Sequence, residues 1–211
     1  MNSLSDLTLL SATFNRHDFT VTMLESFWDI FKNIPQTVIL DNSTETKFPN
    51  VPSKYITVID NTNYKHSPNY NQPSKNHCAS LDWAFHNVIK TRYCLLCDND
   101  ILFKPAVLNL MDEYHKYDAV GEVGYDRVPP VRLYPYFCIL DMDFIRNNKV
   151  RYFDSTRCMI DNATMDTGCS FYQDMSAARA NIKRIKLSDY VIHLKGGTLR
   201  NKDINELILR R

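Results

Sequence analysis

Short gapless runs of apolar residues alternate along this chain with stretches whose apolar residues recur at helical spacing. Gapless runs are typical of strands that are buried on both faces of a parallel sheet. In the first half they predict strands at 7–14, 37–40, 55–59 and 93–97. Helical spacing predicts helices at 18–34, 81–89 and 105–115. We therefore expect an α/β fold with a central, mostly parallel, twisted sheet flanked by helices.

The second half of the chain has a less regular pattern. It predicts strands or extended segments at 118–123, 137–140, 182–187 and 190–194, and helices at 142–147 and 170–180. The proline-interrupted stretch 127–135 and the polar stretch 61–76 predict loops, and Asp18 is predicted to cap the first helix. Internal repeats and linkers are not evident, so the pattern predicts one domain over residues 1–211.

Polar clusters follow three of the predicted strands, at the point where each strand ends: Asn15-Arg16, Asp41-Asn42-Ser43 and Asp98-Asn99-Asp100. Carboxyl ends of parallel strands meet at one edge of the sheet, which is where ligands bind in open α/β folds. Glycine and proline are absent from all three clusters. Their absence weakens the alternative that the clusters are ordinary turns.

Asp98 and Asp100 give this edge its candidate chemistry. Residues i and i+2 share one face of a strand, so the two carboxylates can converge on one point. Converging carboxylates repel unless a cation lies between them, and oxygen ligands favour Mg²⁺ or Mn²⁺. The pair therefore indicates a divalent-cation site for a phosphorylated ligand, with a solvated turn or a helix cap as the alternative.

Composition and charge narrow the classes of partner. Lysine and arginine number 25 against 24 acidic residues, a net charge of +1 that gives no electrostatic reason to expect nucleic acid or an anionic membrane. No run of about 18 apolar residues is present, so no transmembrane segment is predicted. The first residues lack the pattern of a signal peptide, and we expect a soluble, cytoplasmic protein.

Six cysteines are scattered along the chain, and without secretory context they are expected to be free thiols. Cys94 and Cys97 form a C-x-x-C pair on a predicted strand. Positions i and i+3 of a strand face opposite sides, so these two cysteines cannot share a metal and are predicted to be core residues.

Taken in order, these pieces resemble the GT-A class of nucleotide-sugar glycosyltransferases, close to the large family-2 group. Four motifs that span residues 7 to about 200 carry the resemblance: Thr13-Phe14-Asn15-Arg16, Asp41-Asn42-Ser43, Leu96-Cys97-Asp98-Asn99-Asp100, and Asp166-Thr167-Gly168 with His193-Leu194-Lys195-Gly196-Gly197. The resemblance implies a nucleotide-binding half at 1–103 and an acceptor-side half at 104–211. It also implies transfer of a hexose or deoxyhexose from a UDP-sugar donor to a glycan or glycoprotein acceptor. Small enzymes of this kind occur in bacterial polysaccharide clusters and in large DNA viruses that glycosylate their own capsid protein, and a viral source is the hypothesis here.

For the metal, the resemblance implies Mn²⁺ or Mg²⁺ held by Asp98, Asp100 and His193. Asp100 is the first choice for direct coordination, and Asp98 either coordinates or bonds the ribose. A nitrogen ligand from His193 favours Mn²⁺ over Mg²⁺. A satisfied core histidine is the alternative for His193. Lys195, beside the glycine pair, would supply a counter-charge to phosphate.

For the nucleotide, the resemblance implies that Thr13 and Asn15 line the base and that Asp41 accepts from a pyrimidine N3–H. Arg16 would reach the diphosphate. His77, together with Ser80 near the start of the predicted helix at 81, would bond the nucleotide or the sugar. Ordinary capping of that helix by neighbouring polar residues is the alternative.

On the acceptor side, Asp166 is the candidate general base of an inverting enzyme. In a retaining enzyme it would hold acceptor or donor hydroxyls instead. The family often has a Glu-Asp pair here, whereas this chain has Met165-Asp166. Five aromatic residues form either a sugar-stacking wall or part of the core: Tyr134, Tyr136, Phe137, Tyr152 and Phe153.

Two other function classes compete with this interpretation. A nucleotidyltransferase that makes the nucleotide sugar usually has a glycine-rich loop after its first strand, and this chain has Asn15-Arg16-His17-Asp18 there instead. A non-catalytic carbohydrate- or nucleotide-binding module is the third class, although two intact carboxylates at the strand end argue against it.

Overall fold

A computed structural model describes residues 4–31, 34–49, 51, 53–61, 73–124, 131–152, 159–160, 163–164 and 168–194. The elements of the first half are β1 Leu7–Thr13, α1 His17–Ile30, β2 Gln36–Asp41, β3 Ile56–Asp60, α2 Pro73–Asn87, β4 Tyr93–Cys97, β5 Ile101–Phe103 and α3 Val107–Met111. Those of the second half are β6 Ala119–Gly124, β7 Arg132–Asp141, α4 Met142–Asn147, β8 Met159–Ile160, β9 Ala163–Thr164, α5 Cys169–Ala177, β10 Ile182–Arg184 and β11 Val191–His193.

Seven strands form the central sheet, in the order β10-β6-β7-β4-β1-β2-β3. The pairs β3–β2, β2–β1, β1–β4 and β6–β10 are parallel, and β7 runs antiparallel to both of its neighbours. The predicted α/β fold with a mostly parallel sheet is confirmed. The carboxyl ends of β1, β2 and β4 therefore lie at one edge, as their polar clusters predicted.

Two hydrophobic clusters cover the two faces of the sheet. Successive residues of one strand enter different clusters, since Leu9 and Leu95 pack with α1 while Leu10 and Leu96 pack with α2. This alternation explains why the strands read as gapless apolar runs, because both of their faces are buried. Cys97 joins the first cluster and Cys94 the second, as their spacing predicted, and burial raises the pKa of both thiols.

Helix α1 begins without the cap that the sequence predicts. Its N-cap position is Arg16, which makes no side-chain capping bond. Asp18 lies in the first turn, and its carboxylate accepts from the Arg16 guanidinium at 2.8 Å and 3.0 Å. The prediction that Asp18 caps this helix is wrong, because the nearby guanidinium satisfies that carboxylate.

Helix α2 begins at Pro73, well before the predicted start at residue 81. Its first turn is Pro-Ser-Lys-Asn, which has no apolar periodicity to reveal a helix, although proline suits a first helical position. His77 and Ser80 consequently lie inside the helix, and the prediction that they stand near its N-terminus is wrong.

Strand β7 begins at Arg132, within the stretch that was predicted to be a proline-interrupted loop. Val123 pairs with Leu133 and Gly121 pairs with Cys138, so residues 134–137 stand opposite Glu122 alone. This is an extended β-bulge, and Pro135 is tolerated within it because the bulge interrupts the ladder to β6. The bulge lies at the same edge of the sheet as Asp98 and Asp100, since Phe137 pairs with Cys97 at the end of β4.

None of the helices in the described residues combines the length and the apolar character needed to cross a membrane.

Candidate functional site

The acidic cluster Asp98-Asn99-Asp100 forms a tight turn between β4 and β5, and hydrogen bonds to four parts of the protein hold this turn in place. Asn99 is buried, and its Nδ2 donates to Oγ1 of Thr20 at 3.1 Å and to Oγ1 of Thr13 at 3.4 Å. The Asp98 N–H donates to the Tyr136 carbonyl at 3.2 Å, and the Asp100 carbonyl accepts from the Leu194 N–H at 2.8 Å. Both aspartates thus belong to a fixed stretch of backbone.

His193 reaches the acidic turn through a small second sheet. Strand β11 pairs antiparallel with β5 in a register that sets His193 opposite Ile101, next to Asp100. His193 Nε2 lies 3.2 Å from Asp100 Oδ1. Asp98, Asp100 and His193 each offer one ligand atom, and these atoms all lie within 4.8 Å of one another. The three residues predicted for the metal are therefore brought together in the fold.

The electrostatics of this cluster suit a cation. Burial and the negative charge of Asp100 raise the pKa of Asp98, and the positive charges of His77, His193 and Arg132 oppose that rise. Two carboxylates that repel at this distance and a nitrogen ligand beside them form a donor set that Mn²⁺ accepts readily and Mg²⁺ less so. The cluster could therefore hold a divalent cation.

His77 contributes to the same site from α2. Its Nε2 lies 3.8 Å from Asp98 Oδ1, and its side chain is partly exposed. The residue thus faces the acidic turn from the helix interior rather than from a helix N-terminus, and its predicted contact with the nucleotide or sugar stays a prediction.

One aromatic side chain from the β7 bulge stacks on the candidate ligand His193. The ring of Tyr136 lies parallel to the imidazole, with centroids 4.5 Å apart and planes 8° apart. Tyr134 packs behind Tyr136 at 5.4 Å, and the Arg132 guanidinium lies 5.0 Å from the Tyr134 centroid. The sequence placed Tyr134 and Tyr136 either in a sugar-stacking wall or in the core, and it did not indicate Arg132. Neither the stacking on His193 nor the position of Arg132 could be predicted, because both depend on the bulge in β7.

The remaining aromatic residues of that predicted group divide differently. Phe137 and Tyr152 are buried core residues, at 0% and 2% exposure. Phe153 lies outside the described residues.

The residues predicted to contact the base instead organise the loop after β2. Asp41 is 1% exposed, and its two carboxylate oxygens accept from the N–H groups of Ser43 and Phe48 at 3.0 Å and 2.7 Å. Asn15 Oδ1 accepts from the N–H groups of Thr44 and Glu45 at 2.9 Å and 3.0 Å. A base N3–H would therefore have to share oxygens of Asp41 that already accept, and that contact stays a prediction.

Asn15 also explains how the chain turns after β1 without glycine. Its φ is 53°, a left-handed conformation that asparagine tolerates better than most residues. Thr13 directs its hydroxyl inwards, where it accepts from Asn99. The predicted contact of Thr13 with a base stays a prediction.

Arg16, the residue predicted to reach the diphosphate, packs against its own helix. Its guanidinium pairs with Asp18 and lies 4.2 Å from the centroid of the Phe19 ring. The hydrogen bond and the positive charge of Arg16 lower the pKa of Asp18. The predicted contact of Arg16 with phosphate stays a prediction.

Phe14 was missed as a candidate by sequence reasoning. It follows the last residue of β1 at the carboxyl edge of the sheet and is 56% exposed. A large apolar side chain exposed at this position offers a flat surface to a planar ligand. Phe14 was missed because the run Ala12-Thr13-Phe14 predicted that the buried strand extends through Phe14.

Asp166, Lys195 and the glycine pair Gly196-Gly197 lie outside the described residues, so their predicted roles stay predictions. Gly168 is described and forms the N-cap of α5, with φ of 87°.

The fold resembles those of solved glycosyltransferases. TarS residues 1–349 from S. aureus match with a TM-score of 0.54 at 14% identity, over 88% of this chain and 59% of that one. The galactosyltransferase LgtC matches with a TM-score of 0.56 at 9% identity, over 85% of this chain and 73% of that one. The mannosyltransferase PcManGT from Pyrobaculum calidifontis matches with a TM-score of 0.56 at 12% identity, over 85% of this chain and 54% of that one. The chain has a GT-A fold.

The GT-A neighbours differ in the ligands with which they were solved. TarS was solved with UDP-GlcNAc, LgtC with donor and acceptor sugar analogues, and PcManGT with GDP-Man and Mn²⁺.

This chain spans about three fifths of the TarS fragment. No protein-family model and no curated protein sequence matches it. At these identities the likeness establishes the GT-A fold, and the activity has to be argued from the site.

Proposed function

We propose that this protein is a metal-dependent glycosyltransferase that moves a sugar from a UDP-sugar to a glycan or glycoprotein acceptor. The observation that carries the proposal is the convergence of Asp98, Asp100 and His193 at the carboxyl edge of a GT-A sheet. In open α/β folds this edge is where nucleotides bind. His77 and Arg132 also act on this cluster, since their electrostatic interactions oppose the rise in the pKa of Asp98.

Asp100 would hold the cation, with His193 as the nitrogen ligand and Asp98 as the second carboxylate. A divalent ion bound there neutralises the charge that develops on a departing nucleoside diphosphate. The residues present fit Mn²⁺ better than Mg²⁺, because an imidazole is a softer ligand than oxygen. Asn99 serves this site indirectly, since it fixes the turn that carries both carboxylates.

The base would stack on Phe14, which is exposed beside the loop that Asn15 and Asp41 hold in place. Uridine is the preferred nucleoside in this proposal because the sequence resembles UDP-sugar enzymes, and the TarS neighbour was solved with UDP-GlcNAc. GDP is the main competitor, since PcManGT was solved with GDP-Man. In either case Thr13 and Asn15 would line the base and Arg16 would reach the diphosphate.

On the acceptor side, Asp166 is proposed as the general base and Lys195 as a phosphate contact.

The thiols of Cys94, Cys97 and Cys138 are buried in the core and form no disulfide, which supports a reducing compartment such as the cytoplasm. A source among large DNA viruses remains a hypothesis within this proposal.

The test is a titration of UDP, GDP and CMP by calorimetry, each with Mn²⁺ and with EDTA. We expect UDP to bind most tightly and to lose affinity when EDTA removes the metal. UDP affinity that is equal in Mn²⁺ and EDTA would contradict the metal-dependent mechanism. Release of UDP from a panel of UDP-sugars would then identify the donor.

One further assay separates the enzyme classes. A nucleotidyltransferase would release pyrophosphate from UTP and a sugar 1-phosphate, and a glycosyltransferase would not. A binding module would give neither pyrophosphate nor UDP, so that outcome with intact UDP affinity would refute catalysis while leaving the nucleotide site.

A further inference from the structure

Tyr136 contacts two of the three candidate metal ligands by two different parts of the residue. Its backbone carbonyl accepts from the Asp98 N–H at 3.2 Å. Its ring stacks on the His193 imidazole at 4.5 Å with nearly parallel planes. The third candidate ligand, Asp100, contacts His193 directly, with its Oδ1 3.2 Å from Nε2 of the imidazole. Strand β7 therefore joins the acidic turn to the strand that delivers the histidine.

The β7 bulge is what makes this double contact possible. In a regular ladder every residue of β7 would be matched by one residue of β6, but residues 134–137 face only Glu122. The extra length carries Tyr134 and Tyr136 to the edge of the sheet beside His193. Bulges are frequent next to active sites because they re-aim side chains in this way.

We propose that Tyr136 is a positioning residue that holds the His193 imidazole in the plane required for metal coordination. This inference rests on the proposed metal-dependent function. The imidazole is partly exposed, and its strand β11 has only three residues, so the backbone alone fixes the ring weakly. Partners that orient a metal-binding histidine commonly set its affinity for the metal.

The stacked geometry leaves the coordinating edge of the ring open. A face-to-face contact occupies the π face of the imidazole, whereas Nε2 lies in the ring plane and points towards Asp100. The ring of Tyr134 packs against Tyr136 at a tilt of 40°, and the Arg132 guanidinium lies over the Tyr134 ring. These contacts restrain the Tyr136 ring in turn. The contact with His193 is made by the aromatic face, so a phenylalanine at position 136 should serve equally well.

The experiment measures UDP affinity while Mn²⁺ is titrated into the metal-free protein, for the wild type, Tyr136→Phe and Tyr136→Leu. The midpoint is the Mn²⁺ concentration that gives half of the metal's effect on UDP binding. We expect Tyr136→Phe to keep the wild-type midpoint within about twofold and Tyr136→Leu to raise it by about 10- to 100-fold. UDP affinity in EDTA should be the same in all three proteins, because the nucleotide pocket is untouched.

The outcomes separate this inference from the proposed function. An unchanged midpoint in Tyr136→Leu overturns the positioning role, and so does a Tyr136→Phe midpoint raised as far as that of Tyr136→Leu. A wild-type protein whose UDP affinity ignores Mn²⁺ overturns the metal-dependent function and this inference together. His193→Ala marks the largest change that loss of the ligand can cause.

A second variant covers the case in which Tyr136→Leu fails to fold. Tyr136→Met fills the same space with an unbranched side chain and also removes the flat ring. It should raise the Mn²⁺ midpoint as Tyr136→Leu does, and an unchanged midpoint would again overturn the inference. Tyr55→Ala is the control, because Tyr55 is exposed just before β3, at the opposite edge of the sheet.

Discussion

His193 Nε2 lies 3.2 Å from Asp100 Oδ1, although the two residues are far apart in the sequence. The pairing of β11 with β5 creates this contact, since it sets His193 beside the first residue after Asp100. A metal bound at this candidate site would depend both on carboxylate charge and on the register of β11 against β5.

Replacing Asp100 by asparagine tests the charge. The amide keeps the shape of the side chain but removes one of two repelling carboxylates, so metal binding should be lost while the fold is not weakened. We expect no detectable sugar transfer and a free energy of unfolding in EDTA within about 1 kcal/mol of wild type. Transfer assays and urea unfolding measure the two quantities.

Asp29→Asn is the matched control for Asp100→Asn, because Asp29 is exposed near the end of α1. It should retain wild-type transfer and metal dependence. An Asp100→Asn protein with full turnover would rule out Asp100 as a metal ligand.

Replacing Asn99 by alanine tests the support of the acidic turn. The change removes the donor to Thr13 and Thr20 and leaves two hydroxyl groups in a buried site, which should cost about 1–3 kcal/mol of unfolding free energy. The Mn²⁺ midpoint for UDP binding should also rise, since the turn loses its tie to α1. Urea unfolding and calorimetry measure these effects.

Asn87→Ala is the control for Asn99→Ala. Asn87 is exposed, and its amide donates to the Trp83 carbonyl at 2.8 Å on the surface of α2. Its loss should change stability by no more than about 0.5 kcal/mol. Equal effects of the two substitutions would mean that the buried bonds of Asn99 have no special role.

Replacing Phe14 by alanine tests the proposed base platform. Stacking of a base on an aromatic side chain is worth about 1–3 kcal/mol, so UDP affinity should fall by at least about fivefold, in EDTA as well as in Mn²⁺. Stability should change little because the side chain is 56% exposed. Calorimetric titration of UDP decides the matter, and an unchanged affinity would exclude Phe14 as the platform.

Replacing Gly168 by alanine tests the junction between α5 and the β7 bulge. Gly168 has φ of 87°, and an added Cβ would lie 2.5 Å from the Leu133 carbonyl oxygen. The conformational strain alone costs about 1–3 kcal/mol, which corresponds to a fall in Tm of at least about 2 °C for a chain of this size. A thermal melt that matches wild type would show that the helix start can move without cost.

Gly124→Ala is the comparison for Gly168→Ala. Gly124 lacks a positive φ, and an added Cβ would lie 3.3 Å from an atom of the Tyr134 ring rather than against backbone. We expect it to lower Tm by less than Gly168→Ala does.

The sequence by itself determined the strands of the sheet and the edge where the site lies. Gapless apolar runs predicted β1, β2 and β4 because these strands are buried on both faces, whereas the predicted strand β3 is only partly buried. Helix α4 was predicted with its observed bounds, 142–147. The polar residues after β1, β2 and β4 had to meet, since parallel strands end on one side. Asp98 and Asp100 could be placed there from local pattern alone.

Only the tertiary structure decided which side chains meet at that edge of the sheet and what they contact. Local spacing cannot reveal that β11 pairs with β5, that Asp41 and Asn15 use their oxygens on a nearby loop, or that β7 bulges to bring Tyr136 onto His193. Each of these contacts joins residues that are distant in sequence, and its geometry depends on register and packing. Periodicity reports which residues are buried in an element, whereas a binding site depends on which elements meet.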